Sequence, residues 1–315
     1  MYDGVYKYVE SLISQSDNKT GLLMDSFYGD WLGLEKGCCA SSVLSSFYML
    51  SELEIVAEFA EKLDKQKDAS FLKKQASRVR SSWETFFNKT TMTYGHGWET
   101  EQIIALYKDL VPQESKDDLI QRTVSTITDD QSGHIQTGIH GTKWMFLELT
   151  NLGYTKVALD ALLQDTYPSF AYMIKSGATT IWESWYAYKD NVLSRNHQAL
   201  CSFTDWCYKA LAGINLAEGS TGFDEIEFYP RVTEVKHRLT SVSSSIRTYK
   251  GEVASNWQIF SASESIPICA EAYFGDNLEL ACENGGYISD IQFADYGFPF
   301  GYCGNYQHGG CTGIN

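Results

Sequence analysis

A chain of 315 residues that is 43% hydrophobic and 21% charged can bury a sizeable core, which excludes wholesale disorder; at about 150 residues per domain it has room for two. Forty acidic residues against 25 basic ones leave a formal charge of −15. That balance argues against a nucleic-acid partner, which needs a basic footprint, and disfavours polyanionic substrates and anionic membrane surfaces. No apolar run reaches the roughly 18 residues of a membrane span.

The N-terminal stretch MYDGVYKYVESLISQS has neither a basic start nor a continuous apolar run. It is expected to form an amphipathic helix that begins in mid-domain, not a signal peptide. Apolar residues recur at three-to-four spacing over 42–63, 68–87, 100–110, 115–127, 142–152, 155–164 and 198–213, which predicts helices there. Gly, Pro, Asn and Asp punctuate the connections, as at Pro112, Gly133 and Gly138. Such hairpins must bury their apolar faces on one another, as a bundle, a solenoid or an α/α toroid. Near residue 222 the period changes. Alternation over 224–229, 239–249, 251–260 and 265–272 predicts a small antiparallel β-sandwich. From about 278 the chain is rich in Gly, Tyr and Cys, without helical period.

Aromatic residues are in excess, with 8 Trp, 20 Tyr and 16 Phe. Most are expected in the core, but an aromatic face also suits the apolar C–H face of a sugar. The stretch 167–213 concentrates them. Tyr172, Trp182, Trp185, Tyr186 and Tyr188 surround a single carboxylate, Glu183. Burying a carboxylate between tryptophans is costly, and that cost is tolerated where the group works as an acid or base; the structural alternative is a Glu that caps or pairs between two core rings. Arg195-Asn196-His197 precedes a helix, so Asn196 is either its N-cap or, with His197, a ligand of sugar hydroxyls. Tyr28-Gly29-Asp30-Trp31 joins a carboxylate to an indole, while Gln102 and the run Gln136–Thr142 read as turn chemistry.

Eight cysteines show no C-x-x-C spacing, so no zinc or redox motif is indicated, and neither a metal nor a cofactor is expected. Four of them, Cys269, Cys282, Cys303 and Cys311, fall in the last 50 residues. This density, with N-x-T sequons at Asn18 and Asn88, favours an extracellular protein whose signal would lie upstream of Met1.

The motifs YGDWL, QTGIHGTKWMFLELTNLGY, YPSFAYMIKSGATTIWESW and SRNH…W-x-Y-x-x-LAGI occur in the order in which glycoside hydrolase family 78 carries them. Residues 1 to about 275 thus resemble the α-L-rhamnosidases of that family. The resemblance implies a mainly α fold: an (α/α)6 barrel over 1–215, here incomplete at its N-terminal side, followed by a β-sandwich over 216–277. It implies removal of terminal α-L-rhamnose from glycosides or polysaccharides with inversion. Glu183 matches the family's general base and His197 its sugar-contacting histidine. Asp30, Trp31, Trp182, Trp185 and Asn196 match or adjoin its rhamnose pocket. The family's general acid lies in a D-x-x-x-R-x-E segment that is not found here and is expected upstream.

Residues 278–315 resemble the opening of a sea-urchin-egg-lectin-type rhamnose- or galactose-binding domain, on the elements L-x-C-E, I-x-x-I-x-F-A-x-Y-G and G-x-C-G. By that resemblance Glu283 and Tyr296 would contact a galactose or rhamnose ligand and Cys282 would pair with Cys311. The competing reading of the whole chain is a non-catalytic carbohydrate-binding protein or an inactive rhamnosidase fragment. Replacing Glu183 separates the readings, because only an enzyme has turnover to lose.

Overall fold

The computed structural model describes residues 1–24, 29–34, 41–185 and 194–259. They fall into two compact units, Met1–Phe203 and a second beginning at Thr204.

The first unit is built of helices. α1 (Tyr2–Gln15) is amphipathic, as expected, and sets Val9 into the core. α2 (Ser41–Lys62) is apolar around most of its circumference, with Val43, Leu44, Phe47, Leu50, Leu53 and Val56 all buried. A helix of that kind must be covered on more than one side, and α2 packs on α1, on α3 (Gln66–Ser82) and on α4 (Glu99–Tyr107). α3 has a single buried stripe, Ala69, Leu72, Ala76 and Val79, and leaves Lys67, Lys73, Lys74 and Arg80 outside. Between them Phe47 is wholly buried, edge-on to Tyr48, Tyr107 and Trp144 at centroid distances of 5.2, 6.4 and 5.7 Å. Each such ring contributes about 1.5–3 kcal/mol by burial alone. Much of the aromatic excess is thus core.

A two-stranded hairpin, β1 (Phe87–Asn88) with β2 (Thr93–Tyr94), links α3 to α4. Gln102 braces it: its side chain accepts from the Tyr94 amide at 2.8 Å and donates to the Tyr94 carbonyl at 3.0 Å. The turn role expected of Gln102 is therefore fulfilled by the side chain acting as a backbone partner. α4 is buried along nearly its whole length, even at Glu99, Thr100, Glu101 and Gln102. α5 (Gln113–Ser125) runs into a π-helical turn, Thr126–Asp130. α6 (Ile139–Asn151) packs on α4 and on α7 (Thr155–Leu162). α8 (Phe170–Lys175) is short, and its first turn is capped by the Ser169 hydroxyl, which accepts from the Tyr172 amide at 3.0 Å.

The helix expected over 198–213 is not continuous. The chain winds as a 3-10 turn (Ala199–Ser202), a turn of α-helix, α9 (Phe203–Trp206), and a π turn (Cys207–Leu211). Its buried residues explain the change of pitch. Trp206, Ala210 and Leu211 are all buried, and the wider π turn carries Trp206 and Leu211, five apart, on one side.

The second unit, within the described residues, has β3 (Ile214–Leu216) antiparallel to β4 (Ile226–Phe228), the short helix α10 (Val232–Val235), and β5 (Ser241–Arg247) antiparallel to β6 (Glu252–Gln258). Exposure alternates strictly along β5, as the sequence pattern predicts. A small core of Ala212, Ile214 and Val253, with Phe223, Ile226 and Val242 against it, joins the two hairpins. β6 is fastened by Ser255 Oγ and Trp257 Nε1, which donate to the carbonyls of Ala212 and Leu211 at 2.5 and 2.7 Å. Cys201 and Cys207 are the cysteines among the described residues, and burial pushes the Cys207 thiol up to about 11. The strand expected over 265–272, the segment 278–315, the Cys282–Cys311 pair, Glu283 and Tyr296 lie outside the described residues.

Candidate functional site

Two short backbone segments bring the GATTIWE and SRNH motifs together in the first unit. The Glu183 amide donates to the Ser194 carbonyl at 2.9 Å, and the His197 amide donates to the Ile181 carbonyl at 2.9 Å. Thr180 Oγ1 adds a bond to the Arg195 carbonyl. This pairing aligns 180–183 with 194–197 although 11 residues separate Glu183 from Ser194. The Ser194 hydroxyl ties its own turn, accepting from the Asn196 amide and donating to the Asn196 carbonyl at 3.1 and 2.9 Å. The Arg195 guanidinium lies 5.9 Å from the Trp182 ring centroid.

Glu183 is partly exposed and receives two donors, one on each oxygen. The Ser194 amide reaches Oε2 at 2.8 Å, and the Trp31 indole Nε1 reaches Oε1 at 3.3 Å. The Ser194 amide holds the Glu183 carboxyl below the ordinary glutamate value; burial opposes it, and Trp31 and the nearby His197 add smaller contributions in the amide's direction. The charged form is therefore the resting form, as a base requires. Ser194 was not singled out from the sequence, since a backbone donor leaves no mark on residue type.

Asp30 sits differently from the expectation of a sugar contact. It is 1% exposed, and both oxygens are occupied. Oδ1 accepts from the His140 amide at 2.7 Å; Oδ2 accepts from the Gly138 and Gly141 amides at 2.8 and 3.1 Å and from Thr100 Oγ1 at 2.5 Å. These amides are the orphan donors at the start of α6. The Gly138 at its N-cap has no side chain to satisfy them, so a carboxylate from 108 residues away does so. Burial pushes the Asp30 carboxyl up, opposed by the Thr100 hydroxyl and the two amides of His140 and Gly138. His140 continues the network through Nδ1 to the Tyr48 hydroxyl at 2.8 Å.

The tryptophans also divide. Trp31 is 39% exposed, with its indole N–H on Glu183. Trp182 and Trp185 are buried, at 3% and 1%. Trp185 donates to the Thr137 carbonyl at 2.8 Å and packs edge-on to Phe170 at 5.1 Å. Trp185 is thus a core ring beneath the site, because its only polar atom is satisfied inside, and the wall expected of three tryptophans presents Trp31 at the surface. Asn196 is exposed and His197 half-buried beside Glu183. The site therefore unites Glu183, Trp31, Ser194, Asn196 and His197 at the surface, over a buried layer of Asp30, Trp182 and Trp185. Tyr28, Tyr186 and Tyr188 lie outside the described residues.

With these features in place, the family is defined by comparison. The model of the bacterial α-L-rhamnosidase six-hairpin glycosidase domain matches residues 1–211. The chain belongs to that family. It is 29% identical over 272 residues to an α-L-rhamnosidase of Formosa agariphila, covering 82% of this chain and 28% of the relative. Among solved structures, the α-L-rhamnosidase from Dictyoglumus thermophilum matches with a TM-score of 0.75 and 30% identity, over 82% of this chain and 29% of that one. The Streptomyces avermitilis α-L-rhamnosidase complexed with L-rhamnose matches with a TM-score of 0.73 and 26% identity, over 82% and 25%. The mainly helical six-hairpin architecture expected from the motifs is the fold of these relatives. The chain spans between a quarter and a third of the length of these proteins.

Proposed function

We propose that this chain carries the base-bearing part of an α-L-rhamnosidase site, which hydrolyses terminal α-L-rhamnose from glycosides or polysaccharides with inversion. In this reading Glu183 removes a proton from the water that attacks the anomeric carbon. The observation that carries it is the state of Glu183: a carboxylate kept charged by the Ser194 amide and the Trp31 indole, yet still open to solvent. A carboxylate in that condition can hold and activate a water molecule. His197 and Asn196 would bind sugar hydroxyls, and the exposed face of Trp31 would take an apolar sugar face that includes the 6-methyl group of rhamnose. Inversion also needs a carboxylic acid on the opposite face, about 6.5–9.5 Å from the base; in this proposal it comes from sequence outside these 315 residues. The names of the matched relatives, one of them holding L-rhamnose, support the substrate class. An extracellular site of action and a galactose or rhamnose ligand at 278–315 belong to the same proposal, supported by cysteine density and motif resemblance alone.

The test uses an α-L-rhamnoside whose leaving group is a dinitrophenolate, which departs without a general acid. The chain is expected to release it, and Glu183→Gln to abolish release while still binding L-rhamnose by calorimetry. Binding without any release by the parent chain would instead favour the carbohydrate-binding reading.

A further inference from the structure

We infer that Asp30 is a positioning residue: from beneath the surface it fixes the indole of Trp31 against the carboxylate of Glu183. The loop that carries Trp31 is pinned on every side of that residue. Asp30 itself is locked by four donors from α4 and the start of α6. The Trp31 carbonyl accepts from the Ile139 amide at 3.1 Å, and the Leu34 amide donates to the Gln136 carbonyl at 2.8 Å. The same turn of α6 therefore grips both the residue before the indole and the indole's own backbone.

The approach is too close for any other side chain at the contact. A Cβ on Gly138 would stand 2.3 Å from the Trp31 carbonyl oxygen and 2.6 Å from Asp30 Oδ1. One on Gly141 would stand 2.1 Å from Thr100 Oγ1 and 2.7 Å from Asp30 Oδ2. The grip also holds an unfavourable backbone. Leu32, directly after Trp31, has φ 63, in the left-handed region that is unfavourable for a residue other than glycine. Such a conformation persists only where its surroundings over-determine it. The Asp30 network supplies that constraint, and its product is the Trp31 Nε1 to Glu183 Oε1 bond at 3.3 Å. A bond of that length, just beyond the usual N–H···O range, is sensitive to small displacements of the loop.

The placement stands on geometry; its value to catalysis rests on the reading of Glu183 as the base. The two are tested apart. In the chain labelled with [15N]tryptophan, the indole signals number eight, and Trp31 is assigned by its loss in Trp31→Phe. Glu183→Gln displaces the Trp31 signal, because it removes the charge that the indole contacts. The proposal predicts that this displacement falls by at least half when Asp30→Asn is present, while the core Trp83 signal stays in place. An Asp30 that only stabilises the fold would leave the displacement at its parent size, as additive sites do, and that result overturns the inference. If Asp30→Asn unfolds the chain, so that the Trp83 signal collapses too, Thr100→Val decides: it removes one donor and keeps the carboxylate. A smaller displacement in Thr100→Val supports the inference, and an unchanged one overturns it. In the dinitrophenyl rhamnoside assay, Asp30→Asn is expected to lower kcat several-fold and to raise KM, because the displaced indole both leaves Glu183 and moves the sugar-facing ring. A changed Trp31 signal with no effect on kcat would keep the positioning role and refute the value of the Trp31–Glu183 contact to catalysis, leaving the base assignment to the Glu183→Gln test.

Discussion

Asp30 and Glu183 are carboxylates of the same helical unit, and their surroundings move them in opposite directions. Asp30 is buried under four donors and its carboxyl is pushed up by desolvation. Glu183 is partly exposed under two donors and its carboxyl is held down by the Ser194 amide. The number of hydrogen bonds does not decide which is the reactive group, because the better-bonded carboxylate is the one water cannot reach. What suits Glu183 to act on a water molecule is that its charge is stabilised without its oxygens being used up.

The largest expected effect follows from removing each carboxylate in turn. Glu183→Gln is expected to lower the release of dinitrophenolate by about 10²–10⁴-fold, the usual contribution of a general base. Its unfolding free energy by urea titration should stay within about 0.5 kcal/mol of the parent, as for a surface change. Asp30→Ala reverses the pattern in the stability measurement. It strands several buried amides, at about 1–3 kcal/mol for each group left without a partner, so a loss of about 3–5 kcal/mol is expected by urea titration. If Asp30→Ala were as stable as the parent, the contrast between the two carboxylates would fail.

A second pair sharpens the contrast at lower amplitude. Gly141→Ala drives a methyl group into Thr100 Oγ1, and it is expected to cost about 1–3 kcal/mol by overpacking. Trp185→Phe leaves the Thr137 carbonyl without its donor and is expected to cost about 1–2 kcal/mol, whereas Trp31→Phe should cost less than about 0.5 kcal/mol and show its effect on sugar binding. Thermal unfolding of the three variants ranks them. Equal losses for Trp31→Phe and Trp185→Phe would remove the distinction between a surface ring and a core ring.

The smallest effect is that of pH. A carboxylate whose folded value lies below its ordinary 4.5 contributes stability that is fully present above that value and lost as pH falls through the folded one. Glu183 is thus expected to keep its charge in mildly acid solution. A carbon-13 titration of the glutamate carboxyls, with Glu183→Gln as the assignment, should place it below the exposed glutamates. A value above 4.5 would make Glu183 better suited to donate a proton than to accept one.

The helical half was legible because α2 and α3 bury residues at the spacing that the sequence displays. β5 was legible for the same reason, at period two. Glu183 and His197 stood out because a local motif carries each, and the structure shows the two motifs paired through their backbones. Asp30 could not be placed from the sequence. Its partners lie 70 to 111 residues away, three of the four are backbone amides, and burial is a property of the whole unit. Trp185 was indistinguishable from Trp182 and Trp31 for a similar reason, since which tryptophan faces solvent depends on where α6 and Phe170 come to rest. Helical pitch was illegible too. The 198–213 pattern is compatible with an α-helix until the burial of Trp206 and Leu211 together selects the wider turn.

The most direct measurement is the anomeric form of the first product. Proton NMR during hydrolysis of the dinitrophenyl α-L-rhamnoside should show β-L-rhamnose appearing first, equilibrating later to the α form, and neither form with Glu183→Gln. Appearance of α-L-rhamnose first, or an unchanged rate in Glu183→Gln, would contradict the assignment of Glu183 as the base of an inverting site.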